Sequence, residues 1–441
     1  MRTIEEHAEA VAGLVARVFE GLSTETLSVD SRLLARGDSS TRRRVLAADV
    51  VAPIDLPPFD NSQMDGYAVR SRELADGPRA LTIGRRIPAG VAPPPLEAGT
   101  AAPIMTGAPI PDGADAVVQI EVADPPRFLP EGEHGDVVLP HAPAGQFVRT
   151  AGSDVRRNDL LFAAGTVLGP AHWGVLASAG VAAVDVVAQP RVAVVSTGSE
   201  LRVEASPASA PALRPASGQA PASAPAPASA LAAAEIHDAN AASLSVALTD
   251  LGARVEVFQV PDAVDALLAL LVGFATADGP AFDLVVTTGG VSAGAYEVVR
   301  EALEPRGIEF GSVAMQPGGP QGWGTLPVGE ASLPVVCFPG NPVSALISFQ
   351  AFLRVPLAAG ARRALPRRDA TAVLAEGADS PPGKHQLRRA RLDAAGLVHF
   401  VGGPSSHLLH QYAQATVLAH IPVGVGRVEA GDEVVVWALD D

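Results

Sequence analysis

The segment that most constrains the fold is Phe282–Val299, which reads FDLVVTTGGVSAGAYEVV. Its apolar run, Leu284–Val286, stops at a Thr-Thr-Gly-Gly turn, and a helical pattern begins at Tyr296. This order predicts a β-strand that leads through a glycine turn toward an α-helix. Glycine permits positive φ angles and a close backbone approach, and the amides of such a turn bind phosphate without a positive side chain. Because the segment contains no basic residue, a bound anion would depend on the backbone for its donors.

Strand-like and helix-like patterns alternate on both sides of this turn. In chain order they are strand Val192–Val195, helix Ala241–Leu251, strand Arg254–Val260, helix Ala263–Phe274, strand Phe282–Val286, helix Tyr296–Leu303, strand Pro334–Phe338 and helix Val343–Leu357. This alternation is typical of a doubly wound, parallel α/β sheet. We therefore predict a multidomain α/β plus β protein whose α/β domain spans residues 189–360.

The remaining segments predict smaller domains. Apolar residues from Ile4 to Leu22 recur at helical spacing, and short apolar runs such as Ala116–Ile120 and Val137–Leu139 are separated by Pro and Gly. We predict a linking mixed α/β domain of residues 1–55 and 145–188, a β-rich domain of residues 56–144 and a C-terminal β domain of residues 361–441. An Ala/Pro/Ser tract at 203–234 predicts a disordered insertion in a surface loop, and a neutral spacer is favoured over a docking role.

Composition excludes several classes of partner. The formal net charge of −16 argues against nucleic acid or an anionic membrane surface. The single cysteine, Cys337, permits no internal disulfide and fits a reducing cytosol. The acidic start, MRTIEEHAEA, does not resemble a signal peptide, and the apolar stretch Val264–Ala277 is too short to span a bilayer. We expect a cytoplasmic protein without membrane insertion.

Three turns of the α/β domain follow predicted strands. They are Ser196–Glu200, Thr288–Ser292 and Pro339–Ser344. In an open parallel sheet such turns share the edge where ligands bind, so together they favour a phosphate-bearing ligand. The alternative is structural, with Ser292 and Ser344 serving only as helix N-caps.

A second dense segment is Phe59–Arg70, which carries Asp60 and Asp65 beside an amide and a hydroxyl. It fits an Asx turn that leads into a strand. Its carboxylates equally suit Mg²⁺ or hydrogen bonds to a heterocycle. Spacing alone leaves these alternatives open.

Five motifs together resemble the molybdopterin molybdenumtransferase (MoeA) family, which includes the gephyrin E domain. They are DNSQMDGYAVR from Asp60, PIMTGAPIPDGADAVV from Pro103, VSTGSEL from Val195, TTGGVSAG from Thr287 and FPGNPVSALISF from Phe338. The resemblance covers nearly the whole chain in order. It implies an elongated, four-part subunit of a homodimer. It also implies a reaction in which adenylated molybdopterin loses AMP in a Mg²⁺-dependent step and receives molybdate.

The resemblance also implies roles for residues that match the family's motifs. The implied catalytic residues are Asp65, Thr106, Asp154, Glu200 and Asp238. The implied binding residues are Thr197, Gly198, Asn240, Gly289, Gly290, Ser292, Pro339, Gly340, Asn341, Ser344, Arg149, Arg389 and Ser406. The implied metal ligands are Asp65 and Asp238. In the implied dimer, the β-rich domain of one subunit faces the α/β domain of the other.

The chain departs from the family pattern in its charges. The family's loop after GGVSxG reads close to KPGKPxxFG, whereas Gln316–Gly324 reads QPGGPQGWG, so Gln316 and Gly319 replace both lysines. Ala295, Ser199 and Ser153 stand where the family has carboxylates, and Ala241 replaces an arginine. Removing one such donor commonly lowers the rate by about 10² to 10³.

Two hypotheses follow from these departures. In the first, the chain is a working molybdenumtransferase in which Arg149 or Arg389 supplies the missing charge. In the second, it is a catalytically weak paralogue that acts as a gephyrin-like dimeric scaffold, with a protein partner at the C-terminal domain. We expect the transferase, because the pterin-binding turns are intact.

Overall fold

The computed structural model describes residues 1–30, 44–130, 133–202, 234–276, 279–292, 294, 297–329, 331–362 and 369–439. It divides into two compact units, Met1–Thr24 with Val187–Asp441, and Glu25–Val186. The predicted insertion at 203–234 lies outside the described residues except for its last residue, as do Ala295 and Tyr296. The predicted domain boundaries stay predictions.

The opening helix, α1, spans Ile4–Glu20 and begins at a capping box. The Thr3 hydroxyl accepts a hydrogen bond from the Glu6 amide at 3.1 Å, and the Glu6 carboxylate accepts one from the Thr3 amide at 2.9 Å. The two bonds satisfy backbone donors that a helix start leaves unpaired. The apolar face of α1 is buried, as its helical spacing predicted.

The unit Glu25–Val186 is built from short strands. Its elements are β1 Thr24–Ser28, β2 Val50–Val51, β3 Asn61–Ser62, β4 Gly66–Val69, β5 Arg79–Ile83, β6 Thr100–Ile104, β7 Ala116–Gln119, β8 Asp136–Leu139, β9 Val148–Arg149, β10 Leu160–Phe162, α2 Pro170–Ser178 and β11 Ala183–Val187. The main sheet has the order β7-β4-β6-β5-β8. Gly66 lets β4 pair closely with β7, because a Cβ there would lie 2.0 Å from the Val118 carbonyl oxygen.

The other unit contains the predicted α/β fold. Its strands are β12 Arg191–Thr197, β13 Arg254–Val260, β14 Ala275–Thr276, β15 Gly279–Pro280, β16 Leu284–Thr288, β17 Ile308–Ser312, β18 Met315–Gln316, β19 Pro320–Val328, β20 Ala331–Phe338, β21 Asp369–Leu374, β22 Ala378–Asp379, β23 His385–Leu392, β24 Leu397–Phe400, β25 Val417–Ile421, β26 Arg427–Val428 and β27 Glu433–Ala438. Its further helices are α3 Ala239–Asp250, α4 Val264–Gly273, α5 Val298–Leu303, α6 Pro342–Ser348, α7 Arg354–Gly360 and α8 Leu409–Tyr412.

The central sheet has the order β13-β12-β16-β20-β19-β17. Its first four strands are parallel, which confirms the predicted α/β fold. Side chains on the two faces of β12 and β16 enter two different cores, with Val194 and Val286 on one side and Ala193 and Val285 on the other. Burial on both faces explains why these strands are continuous apolar runs.

The antiparallel strands β19 and β17 were not predicted, because the segment from Gln316 to Gly324 has the composition of a loop. The glycines have a packing role instead. A Cβ at Gly322 would lie 2.6 Å from the Phe310 ring, so only glycine lets β19 pair with β17 at this point. The tertiary contact overrides the local composition.

The C-terminal strands close into a small barrel. The sheet order is β18-β23-β24-β21-β27-β25, and β23 also pairs with β25, so five of these strands form a ring. Strand β18 joins the ring from outside by parallel pairing of Met315 with His385 and Gln316 with Gln386. This pairing fixes the loop that begins at Gln316 beside the start of β23.

One described helix has the length and apolar composition of a membrane span. It is Pro342–Gly360, which comprises α6, a π-helical turn at Phe349–Leu353 and α7. Since 67% of its most apolar stretch is buried inside the protein, it has the character of a core helix.

His7 is fully buried where α1 packs on this helix and on β19. Its ring meets Trp323 and Phe352 edge-on, at centroid distances of 4.9 Å and 4.5 Å. Burial, helped by the nearby Arg2 charge, lowers the pKa of His7 from 6.5 to about 4. The folded protein therefore keeps this imidazole neutral.

We expect the free energy of unfolding to fall as the pH drops from 6.5 toward 4. In that window the unfolded chain binds a proton at His7 that the folded chain excludes, which costs up to about 3 kcal/mol of stability. Urea denaturation at about pH 7.5 and about pH 4.5 measures the effect. A His7→Phe variant keeps an aromatic ring without the titration, so it should lose that part of the pH dependence. Parallel pH profiles for the two proteins would contradict the assignment.

Candidate functional site

A cavity of about 930 Å³ lies at the carboxyl ends of β12, β16 and β20. The three turns singled out in the sequence line it, as do the loop from Gln316 to Pro320 and the segment Pro404–Ser406. Its size suits a small organic ligand. Its position is the one expected for a ligand site in an open parallel sheet.

The strand ends come so close together that only glycine fits between them. Gly289 has a φ of +93°, and a Cβ there would lie 2.9 Å from both the carbonyl oxygen and the hydroxyl of Thr197. A Cβ at Gly340 would lie 3.2 Å from the Gly289 Cα. The Gly289 amide donates to the Phe338 carbonyl at 3.1 Å, which ties the second turn to the third. The floor of the cavity is therefore backbone.

The start of α3 forms one wall of the cavity. Asp238 caps the helix by accepting a hydrogen bond from the Ala241 amide at 2.9 Å, and it accepts another from the Gln259 side chain at 3.2 Å. Asn240 donates to the Gly340 carbonyl at 2.6 Å, which connects this wall to the floor.

Two helix N-termini face the cavity. Asn240 lies in the first turn of α3, and Ser344 lies in the first turn of α6. The positive ends of these helix dipoles favour an anion. Ser406 reaches the cavity beside α6, where its carbonyl accepts the Val343 amide at 3.3 Å.

The charged side chains that line the cavity are mostly acidic. The carboxylates of Glu200, Asp238, Asp262 and Glu297 line the cavity, whereas Lys384 is the one Lys or Arg among the described lining residues. The positive potential that this lining offers to an anion therefore comes from backbone dipoles and from Lys384.

Lys384 was not predicted as a site residue. It precedes β23, and the pairing of β18 with β23 brings it to the loop that lacks the family's lysines. The sequence did contain one signal, since Lys384 is the only lysine of the chain. Because Lys384 is far from the three turns in sequence, the sequence alone does not place it at the cavity.

The structure brings most of the predicted site residues together. The cavity is lined by Thr197, Gly198, Glu200, Asp238, Asn240, Gly289, Gly290, Ser292, Pro339, Gly340, Asn341, Ser344 and Ser406. The unit Glu25–Val186 holds the others except Arg389, namely Asp65, Thr106, Arg149 and Asp154.

Asp65 and Thr106 form a pair within their unit. One carboxylate oxygen of Asp65 accepts the Thr106 amide at 2.7 Å and the Thr106 hydroxyl at 2.8 Å. The amide bond, and then the hydroxyl bond, lower the pKa of Asp65. The pair presents an exposed, ionised carboxylate in a fixed orientation.

Arg389 is placed differently from the expectation that it supplies charge to a ligand. It is 3% exposed and does not line the cavity. Its guanidinium donates to the carbonyls of Val401, Gly403 and Ser405. The side chain thus supports the segment that carries Ser406 to the cavity.

Three family models match the chain in succession. They are the MoeA N-terminal region (domain I and II) at residues 2–180, the probable molybdopterin binding domain at 193–359 and the MoeA C-terminal region (domain IV) at 371–439. The chain is 38% identical to molybdopterin molybdenumtransferase 2 of Mycobacterium tuberculosis over 454 residues, covering 100% of both chains. It is 33% identical to the molybdopterin molybdenumtransferase of Synechococcus elongatus over 416 residues, 92% of this chain and 93% of the relative.

A solved structure extends this similarity to the whole fold. The crystal structure of a molybdopterin biosynthesis MoeA protein from Pyrococcus horikoshii superposes with a TM-score of 0.70. The two chains are 26% identical, and the match covers 100% of each.

We expect Gly289→Ala to destabilise the protein by about 1–3 kcal/mol and to weaken ligand binding, because the new Cβ meets Thr197 at a positive φ. Urea denaturation measures the change in the free energy of unfolding. Gly273→Ala is the matched control, since a Cβ at this helix end meets no atom within 4 Å. Equal stabilities of the two variants would show that the close approach at Gly289 is not required.

Proposed function

The chain belongs to the molybdopterin molybdenumtransferase family and is a transferase of molybdenum cofactor biosynthesis, and from this premise we propose that it inserts molybdate into adenylated molybdopterin with release of AMP. The observation that carries the proposal is the glycine floor of the cavity. It offers close backbone contact to a phosphate-bearing ligand, and the first turns of α3 and α6 flank it. Family membership supports the pterin phosphate as this ligand.

We propose Mg²⁺ as the cation that offsets the acidic lining. Glu200 and Asp238 supply hard oxygen donors to the same cavity, which fits the ion. No group of three potential metal ligands occurs among the described residues, so these side chains would not complete a site alone. Mg²⁺ is usually held by one or two carboxylates together with substrate phosphates. The ion would neutralise charge on the phosphates as AMP leaves.

Lys384 is the proposed partner of the molybdate or phosphate oxygens. An ammonium group is a strong donor to an oxyanion, and its effect grows when the ligand shields it from water. In the family the positive charge lies in the loop that begins here at Gln316. In this chain the residue directly before β23 carries it instead. Arg389 does not line the cavity, so Lys384 replaces it in the hypothesis of a working transferase.

We also propose that the protein is a homodimer, as the family resemblance implies, and that Asp65 and Thr106 act on the ligand of a second protomer. A complementation assay tests this arrangement. Asp65→Asn and Asp238→Asn variants should each be inactive, and heterodimers formed by mixing them should regain about a quarter to a half of the activity, because one intact site is restored. A mixture that stays inactive, or a monomer in light scattering, would contradict the proposal.

The matching relatives are named molybdopterin molybdenumtransferases, which favours the transferase over the scaffold hypothesis with a protein partner at the C-terminal domain. The predicted cytoplasmic location stays a prediction. It is consistent with the single cysteine, Cys337, which is buried in β20 and carries a pKa raised to about 12 by burial.

We expect Lys384→Ala to lower AMP release by about 10² to 10³ in kcat/KM, whereas Lys384→Arg should remain within about tenfold of the native chain. The assay contains purified protein, adenylated molybdopterin, molybdate and Mg²⁺. Absence of turnover by the native chain would refute the transferase proposal itself. Because Lys384 is the only lysine, acylation of ε-amino groups should inactivate the native chain but not Lys384→Arg.

The same assay tests whether charge limits turnover. Gln316→Lys with Gly319→Lys should raise turnover, since both lysines would enter the cavity. The side-chain oxygen of Gln316 accepts the Gln386 amide at 2.7 Å, a bond that Gln316→Lys gives up. A Cβ at Gly319 would lie 3.3 Å from the Val313 carbonyl oxygen, a tight contact that needs a small shift of the chain. Gly318→Lys is the control. It adds a lysine to the same loop, but at a φ of +93° that a lysine adopts only with strain.

A further inference from the structure

Two backbone amides directly after the glycine turn, those of Ser292 and Gly294, already donate to an acidic side chain of the same chain. One carboxylate oxygen of Glu297 accepts the Ser292 amide at 2.7 Å, and the other accepts the Gly294 amide at 3.1 Å. The Ser292 hydroxyl also donates to this carboxylate. Glu297 is half-buried and, like Ser292, lines the cavity.

Ser292 is one of the residues that the family resemblance implies for phosphate binding, and Gly294 follows it in the same motif. Two backbone amides and a hydroxyl on one anion form a complete anion site. Hydrogen bonds to an ionised acceptor are stronger than those between neutral groups, so a carboxylate in this position is a real competitor for a ligand's oxygen atoms. The carboxylate and a phosphate cannot occupy the same donors together.

We propose that Glu297 is a built-in anion, which occupies the turn until the phosphate of the ligand displaces it. The inference rests on the proposed function, which supplies the phosphate ligand. Displacement reduces the apparent affinity in proportion to the fraction of molecules in which the turn is free. A dianionic phosphate accompanied by Mg²⁺ competes better than a monoanion, so Glu297 also selects against small carboxylates.

A purely structural role for Glu297 predicts the opposite change in phosphate affinity when the side chain is removed. If the carboxylate only holds the turn in shape, its removal disorders the binding donors and weakens phosphate. If it competes with the ligand, its removal exposes the donors and strengthens phosphate. The direction of the change in affinity therefore separates the two roles.

The test measures binding of inorganic phosphate, with and without Mg²⁺, by calorimetry on the full chain. We expect Glu297→Ala to bind phosphate about tenfold more tightly than the native chain, equivalent to about 1.4 kcal/mol. Glu297→Gln should show a smaller gain, because the amide keeps one acceptor without the charge. Glu301→Gln is the matched control, since it removes an equal charge one turn along α5 from an exposed side chain.

Hydrogen exchange of a peptide that covers residues 287–299 gives a second readout. In Glu297→Ala its amides should exchange faster than in the native chain and regain protection when phosphate is added. Unchanged or weaker phosphate binding by Glu297→Ala, or protection that phosphate does not restore, would overturn the proposal. So would equal gains in Glu297→Ala and Glu301→Gln. These outcomes are independent of AMP release, so failure of the transferase assay would not be mistaken for failure of this inference.

Discussion

The site depends on the contact of three backbone segments at Thr197, Gly289 and Gly340. Parallel pairing sets Ser196 beside Thr288 and Thr288 beside Phe338, so the three strands end in step. Adjacent strands lie about 4.8 Å apart, which leaves no room for side chains where their turns fold over one another. The glycines are therefore required by the register of the sheet before any ligand is considered. The backbone floor of the cavity is a consequence of that register.

The proposed ligand of the cavity is an anion, although the side chains that line the cavity carry a net negative charge. The favourable contributions are the fixed dipoles of the first turns of α3 and α6, which need no reorganisation when a ligand arrives. The four carboxylates that line the cavity oppose the binding of an anion. Such an arrangement gives weak affinity for a free anion and better affinity for an anion that brings its own cation. The proposed role of Mg²⁺ and the proposed competition by Glu297 are thus two effects of one charge distribution.

The sequence predicted the parts of the fold that local patterns determine. Apolar runs and glycine turns located the four parallel strands and the turns at their ends. It missed β19, since the glycines that pack against Phe310 have the composition of a loop. It also missed Lys384 and expected charge from Arg389, because the positions of both depend on the barrel. Arg389 is held by the carbonyls of residues 401–405, whereas Lys384 is exposed. Only long-range pairing distinguishes these two cations, and no local pattern records it.

The pairing of β18 with β23 explains how a neutral loop can coexist with a retained site. Gln316 and Gln386 form an amide pair in this ladder, so the loop is anchored by hydrogen bonds that need no ionised side chain. The same ladder holds the residue before β23 at the cavity. A positively charged side chain can therefore reach the cavity either from the loop or from the residue before β23, with the same backbone structure. A lost lysine in the loop is thus a weaker indication of lost chemistry than its sequence position suggests, because the barrel supplies a second route for a cation to the same ligand.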